Sequence, residues 1–385
     1  MSSRFCYLLV ALFCILATHS QADDEFKTTV WKSGEGDYHT YRIPSVIRTM
    51  KGTLLAFCEG RKSGRGDAGN IDLLIKRSYD GGKTWSRNEV LWDDKGNTCG
   101  NPCPVVDEST GTIWLLLTHN LGTDHEPDII KKKSESTRTV WVSHSADGGQ
   151  SWTAPAEITK TTKDPTWGWY ATGPGVGIQI KHGPHKGRLV IPCDHSFDYP
   201  EGKRYGGGYE FRSHSIHSDD HGKTWQLGGT VGPATNECQV AEINKGSGDL
   251  LMNMRSYFNH KRRTHSTSRD GGTTWSTPRD VDRLIEPVCQ GSLIRHTWPD
   301  RQKQGVLLFS NPASEKGRVK LTVRASFDDG ATWPVAQVLH AGPAAYSCLV
   351  SLPDGAFGCL YEAGEKNPYE SIVFHRLSDD SVQLP

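Results

Sequence analysis

The chain has 385 residues, with 44 Lys and Arg against 44 Asp and Glu and 35% hydrophobic residues. That balance excludes a global basic field of the kind that draws nucleic acid or an anionic membrane surface, so charge-driven recognition has to be local. The apolar content suffices for a full core, and no interior run is long enough to span a bilayer.

In chain order, the first residues read as a targeting segment. Arg4 precedes an apolar run over 5–17, and the small residues Ser20 and Ala22 suit cleavage before Asp23. The run is shorter than the ~20 apolar residues of a membrane-spanning helix. A signal peptide over 1–22 and one domain over 23–385 are expected, with entry to the secretory pathway and an extracellular or lysosomal destination. Removal of Cys6 and Cys14 with that segment leaves eight cysteines. Cys348 and Cys359 flank a turn at 353–355 and could face each other across a hairpin, whereas buried free thiols are the expectation for most of the set. Cys99 and Cys103 have a loosely metal-like spacing, but no second Cys or His cluster completes a site. No Asn-x-Ser/Thr acceptor occurs.

A strand-like run at 26–31 comes next, with no partner close in sequence. Runs at 41–48, 53–58, 71–77 and 86–92 then form a first unit of four strands. Between its third and fourth strands lies an octapeptide, Ser-x-Asp-x-Gly-x-x-Trp, at 78–85, and it recurs at 145–152, 218–225, 268–275 and 326–333. Ser and Asp side chains accept turn N–H groups, Gly tolerates positive φ, and Trp supplies an apolar peg. Each copy therefore reads as a structural corner. A period of roughly 50 to 70 residues, each unit built of short strands and turns, is the mark of four-stranded propeller blades. The fourth unit repeats the order at 238–243, 250–255 and 264–267. The last has runs at 347–352, 356–361 and 371–377 and no octapeptide, so the run at 26–31 is expected as its fourth strand. The fold class expected is all-β, a six-bladed β-propeller of four-stranded antiparallel blades, the last closed by the amino-terminal strand.

Alternating strand direction places first-strand starts, second-strand ends and third-strand starts on the face opposite the corners. Arg42, Glu237 and Tyr346 occupy first-strand starts; Arg61, Arg255 and Glu362 second-strand ends; Asp67 a loop; and Arg318 a third-strand start. Arg324 lies six residues further along, about 20 Å at 3.3 Å per residue, toward the other face. Any one of these arginines could be a solvated surface residue. Their convergence suits a small acid, because guanidinium groups grip carboxylates through paired hydrogen bonds.

The segment Tyr41-Arg42-Ile43-Pro44, the five Asp-box octapeptides, Asn236-Glu237-Cys238-Gln239 and Cys359-Leu360-Tyr361-Glu362 together resemble the exo-α-sialidases of the six-bladed propeller type. The Asp box alone also occurs in non-enzymatic propellers such as sortilin-type receptors. The resemblance implies that Arg42, Arg255 and Arg318 hold the carboxylate of a sialic acid. It further implies Tyr346 as nucleophile, Glu237 as its base, Asp67 as acid/base, Arg61 as a further sugar contact and Glu362 as the brace of Arg42. Sialidases depart from the two-carboxylate pattern of most retaining glycosidases. A neutral phenol approaches an anomeric carbon that already bears a carboxylate without repulsion, and the arginines are expected to favour its phenolate. Sialylated glycans are the expected partners, nucleic acid and an integral membrane segment are not expected, and the chemistry calls for no metal or organic cofactor. A trans-sialidase and a non-catalytic sialic-acid-binding propeller are the alternatives. Glu126, Trp169, Thr172, Asp194 and His195 are candidates for the remaining pocket wall, each equally readable as an ordinary loop residue.

Overall fold

The computed structural model describes residues 25–382, so the targeting segment expected over 1–22 lies outside the described residues. Strands dominate, and the helical pieces are single turns such as Glu126–Ile130 and Thr159–Thr162. No helix among the described residues is long and apolar enough to cross a membrane. The fold is all-β.

The first unit consists of Thr40–Arg48, Leu54–Arg61, Ile71–Ser78 and Glu89–Trp92, each antiparallel to the next. Leu54–Arg61 is buried along its whole length. Both of its faces are covered, so it reads as a continuous apolar run, Leu54 to Cys58, rather than an alternation. The fourth unit is a sheet of its own, Thr235–Ile243, Asp249–Ser256, Arg262–Ser268 and Arg279–Ile285. In the third unit the innermost strand is split into Tyr170–Thr172 and Ile178–Gln179, which both pair with Leu189–Asp198. The intervening Gly173-Pro174-Gly175-Val176-Gly177 explains the break, since Pro removes a ladder donor and Gly weakens a strand.

Val335–Ser351 is one continuous strand serving two units. Its first part pairs with Val319–Ser326 and its last part with Phe357–Ala363. The final sheet continues through Ser371–Leu377 to the amino-terminal strand Phe26–Lys32, which pairs from Phe26 opposite Arg376 to Lys32 opposite Ser371 with a register shift between Thr29 and Trp31. The first and last of the described strands therefore share a sheet.

The octapeptides form the corners expected of them. In the first, the Gly82 N–H donates to Ser78 Oγ at 2.8 Å, Ser78 Oγ donates to Asp80 Oδ1 at 2.8 Å, and Thr84 donates to Asp80 through backbone and hydroxyl. Each corner also keys into another unit. A Cβ on Gly82 would lie 2.1 Å from the Phe374 ring, one on Gly149 2.4 Å from Leu55, one on Gly222 2.1 Å from Trp114, and one on Gly330 2.6 Å from Leu251. Trp85 meets Phe374 edge-on at 5.5 Å, and Trp152 meets Phe57 at 5.8 Å. Each corner thus presses on the preceding unit, and the first presses on the last. Gly149→Ala combines a φ of +88° with that overlap. It is expected to lower folding stability by about 1–3 kcal/mol in denaturant unfolding; an unchanged midpoint would refute the keying role.

All eight cysteines of the described residues are free and buried. Cys348 stands opposite Leu360 and Cys359 opposite Leu349, a one-residue offset. Side chains alternate faces along a strand, so the two sulfurs point to opposite sides of the sheet and the hairpin pairing considered from sequence does not form.

Candidate active site

Irregularities in the innermost strands set the site. Register shifts fall between Arg42 and Ser45, Gly100 and Cys103, Thr235 and Cys238, and Ala344 and Ser347. Within them lie Ile43, Asn101, Glu237 and Tyr346, and the shift at Arg42 and Ser45 begins on Arg42 itself. A bulge bends its strand and re-aims the adjoining side chains. Ile43, at φ +59°, adopts a conformation that is unfavourable for a β-branched residue. Its N–H donates to Glu362 Oε1 at 3.0 Å, which fixes that turn of chain.

Arg42, Arg61, Asp67, Glu237, Arg255, Arg318 and Tyr346 line one cavity of about 190 Å³. Glu362 lies beneath it, fully buried. One carboxylate oxygen of Glu362 accepts from Arg42 Nε at 2.7 Å, and the other accepts from the Tyr346 backbone N–H at 3.1 Å. That single side chain locks a guanidinium against the strand that carries the tyrosine. Burial works against the Arg42 charge, and Glu362 together with Tyr369, Asp67 and Tyr346 more than restores it.

The Tyr346 hydroxyl donates a short hydrogen bond to Glu237 Oε1. Glu237 Oε2 accepts from Arg255 Nη1 at 2.7 Å. The Arg42 and Arg318 guanidinium carbons stand 5.0 and 5.4 Å from the Tyr346 ring centre, and Arg318 Nη1 donates to the Tyr369 hydroxyl at 2.8 Å. Burial, then the neighbouring Glu237 charge, pushes the Tyr346 hydroxyl well above the usual phenol range. Arg255, Arg318 and Arg42 pull it down without cancelling this rise. The arginines favour the phenolate as expected, but burial and Glu237 outweigh them, and the resting group is the neutral phenol.

Arg61 is buried between two acids. Its Nη2 lies 2.6 Å from Glu59 and 2.7 Å from Asp67. Asp67 is more exposed, at 56% of its side chain. The surrounding walls oppose its ionisation, but the Arg61 and Arg42 charges and the Arg61 hydrogen bond hold its carboxyl below the usual range.

The remaining wall includes Asn101, Glu126, Arg138, Trp169, Asp194 and Tyr257. Glu126, Trp169 and Asp194 were among the sequence candidates. Thr172 instead turns its hydroxyl to the Asn101 carbonyl at 2.6 Å, and His195 stacks on Trp167 at 3.3 Å between centroids. Neither lines the cavity. Arg324 sits opposite Phe309 and Ala336 in its sheet, also outside the cavity lining. Sequence reasoning missed Glu59, Asn101 and Arg138. Two of these had a readable signal: Glu59 lies two residues before Arg61 on one strand face, and Arg138 immediately precedes the strand Thr139–Ser145 as Arg318 precedes Val319–Ser326.

An all-β chain with repeated Asp-box corners and a cavity of clustered arginines around a tyrosine–glutamate pair defines a class, and the comparisons agree. Residues 52–359 match the BNR repeat-like domain. The chain is 35% identical over 353 residues to a sialidase of Micromonospora viridifaciens, covering 86% of this chain and 51% of that protein. It is 31% identical over 370 residues to Sialidase-2 of Mus musculus, covering 90% and 94%. The solved Hadza microbial sialidase Hz136 superposes with a TM-score of 0.79 at 29% identity, over 93% of this chain and 69% of that one. The chain belongs to the sialidase family. It spans about half the length of the Micromonospora protein.

Proposed function

We propose that this protein is an exo-α-sialidase, a retaining glycoside hydrolase that removes terminal α-linked sialic acids from glycoproteins, glycolipids and oligosaccharides. The observation that carries this reading is the Tyr346 hydroxyl donating to Glu237 among three arginines that come from separate units. In this reading Arg42, Arg255 and Arg318 bind the substrate carboxylate, and Arg61 contacts the sugar. The carboxylate's charge then acts on its neighbours. It weakens the pull of the arginines on the phenol, so Tyr346 reaches the anomeric carbon uncharged and passes its proton to Glu237 as the covalent bond forms. Asp67 protonates the departing glycosidic oxygen and afterwards takes a proton from water, whose oxygen attacks the anomeric carbon and breaks the bond to Tyr346; the tyrosine recovers its proton from Glu237, and the sugar leaves with retained configuration. Glu362 positions Arg42 and the Tyr346 backbone together.

The first corner packing on Phe374 and the pairing of Phe26–Lys32 with Ser371–Leu377 support a closed ring of six blades within one domain over 23–385. A signal peptide and a secreted or lysosomal destination complete the proposal. Sialylated glycans are the partners.

The Asp67 carboxyl gives a kinetic test. In the free enzyme the Arg61 and Arg42 charges keep it ionised, yet it must be protonated to act as the acid. A bound carboxylate raises its pKa by like-charge repulsion. The alkaline limb of kcat is therefore expected at higher pH than that of kcat/KM, because the first reports the complex and the second the free enzyme. Coincident limbs in pH–rate profiles on a fluorogenic sialoside would remove Asp67 from that role.

A further inference from the structure

We propose that this pocket prefers a deaminated sialic acid, which carries a hydroxyl where the common sugar carries an acetamido group, and that Asp194 is the residue that reads that hydroxyl. The inference rests on the sialidase reading above and adds the substrate class.

An acetamido group needs an apolar rest for its methyl. The natural candidates in the wall are the faces of Trp169 and Tyr257, and both are capped by guanidinium groups. Arg138 lies over the Trp169 ring at 4.1 Å, and Arg204 over the Tyr257 ring at 3.5 Å. Arg138 is almost wholly buried, and its hydrogen bonds go to neutral acceptors: Thr118 Oγ1 and Asn120 Oδ1 at 3.0 Å each, with a shorter one to Asn101 Oδ1. A guanidinium stacked on each aromatic face occupies the carbon surface on which a methyl would rest.

Asp194 supplies the complementary observation. It lines the cavity with 1% of its surface exposed. Its Oδ2 accepts from Asn236 Nδ2 at 2.7 Å, whereas its Oδ1 is buried without a hydrogen-bond partner. A buried polar atom left unpaired is unfavourable, and a ligand group that pairs with it gains correspondingly. Burial, reinforced by the charges of Glu237 and Glu126, holds this carboxyl well above its usual range. As a neutral acid it donates an O–H, and a ligand hydroxyl can accept that bond and donate another. The neutral form also avoids adding negative charge to a pocket that must admit an anion.

The test is calorimetric binding of the two free sugars, the deaminated acid and the N-acetylated acid, to the full chain, which needs no turnover. The wild type is expected to bind the deaminated acid about 10-fold or more tighter, and Asp194→Ala to lose about 10- to 100-fold on that sugar with a change of only a few-fold on the other. Asp194→Asn, which keeps a donor of the same shape, is expected to retain most of the preference and serves if the alanine variant fails to fold. Equal or reversed affinities in the wild type, absence of binding by both sugars, or a preference that survives in Asp194→Ala would overturn the proposal. The hydrolase reading fails separately, through absent turnover of sialosides by protein that still binds and discriminates the sugars.

Discussion

Tyr346→Phe is expected to fold as the wild type does and to lose turnover of a fluorogenic sialoside by about 10³-fold or more. The substitution deletes one oxygen from a fully packed side chain, so the ring keeps its contacts with Ile43, Cys289 and Ala345. What disappears is the bond-forming atom and the donor to Glu237 Oε1. Removing a nucleophile eliminates the covalent route and leaves only the residual rate from binding and electrostatics. KM is expected to change little, because the three arginines remain. Turnover within a few-fold of wild type would mean that another group attacks the anomeric carbon.

Glu362→Ala is the second large effect, and it falls on stability as well as activity. The carboxylate accepts from Arg42 Nε, the Ile43 N–H and the Tyr346 N–H, with none of its surface exposed. Its loss leaves a buried guanidinium without its counter-charge and two backbone donors without an acceptor. Breaking a buried pair on one side is expected to lower folding stability by about 3–5 kcal/mol. Denaturant unfolding measures this directly. Glu362→Gln restores the shape and part of the hydrogen bonding, so it is expected to recover part of the stability while Arg42 stays poorly held and kcat/KM remains low. A Glu362→Ala variant as stable as wild type would show that Arg42 finds another partner and that the brace is dispensable.

The octapeptide made the order of strands legible from sequence. Its spacing separated third strands from fourth, and from that order came the face on which Arg42, Arg61, Asp67, Glu237, Arg255, Arg318 and Tyr346 meet. The same corner had a second duty that no single copy reveals. The collisions waiting for a Cβ at Gly82 or Gly149 involve Phe374 and Leu55, residues of other units. Close approach between units leaves no local pattern.

The bulges were likewise unreadable. Ile43 in the left-handed region runs against its own propensity, and the buried acceptor that holds it there, Glu362, lies 319 residues away. Long-range contacts of this kind also decide which loop residues face the cavity. Glu126 and Asp194 reach it, whereas Thr172 and His195 turn to Asn101 and Trp167. For Cys348 and Cys359 the turn between them was visible, but its register was not. A single-residue offset placed the sulfurs on opposite faces.

The charge state of Tyr346 shows why listing neighbours is insufficient. Three nearby arginines favour the phenolate, yet burial and Glu237 outweigh them. A neutral resting phenol suits an anionic substrate better than a standing phenolate would, since the anion then meets the arginines without a competing charge.

The proposed mechanism passes through a covalent bond between the sugar and Tyr346, and that bond can be trapped. A 3-fluoro sialyl fluoride forms the glycosyl-enzyme and slows its hydrolysis, so proteolysis and mass spectrometry can locate the label. A single sialyl adduct is expected on the peptide that contains Tyr346, with fragmentation placing it on that residue and no adduct in Tyr346→Phe. An adduct on Asp67, Glu237 or any other residue would contradict it.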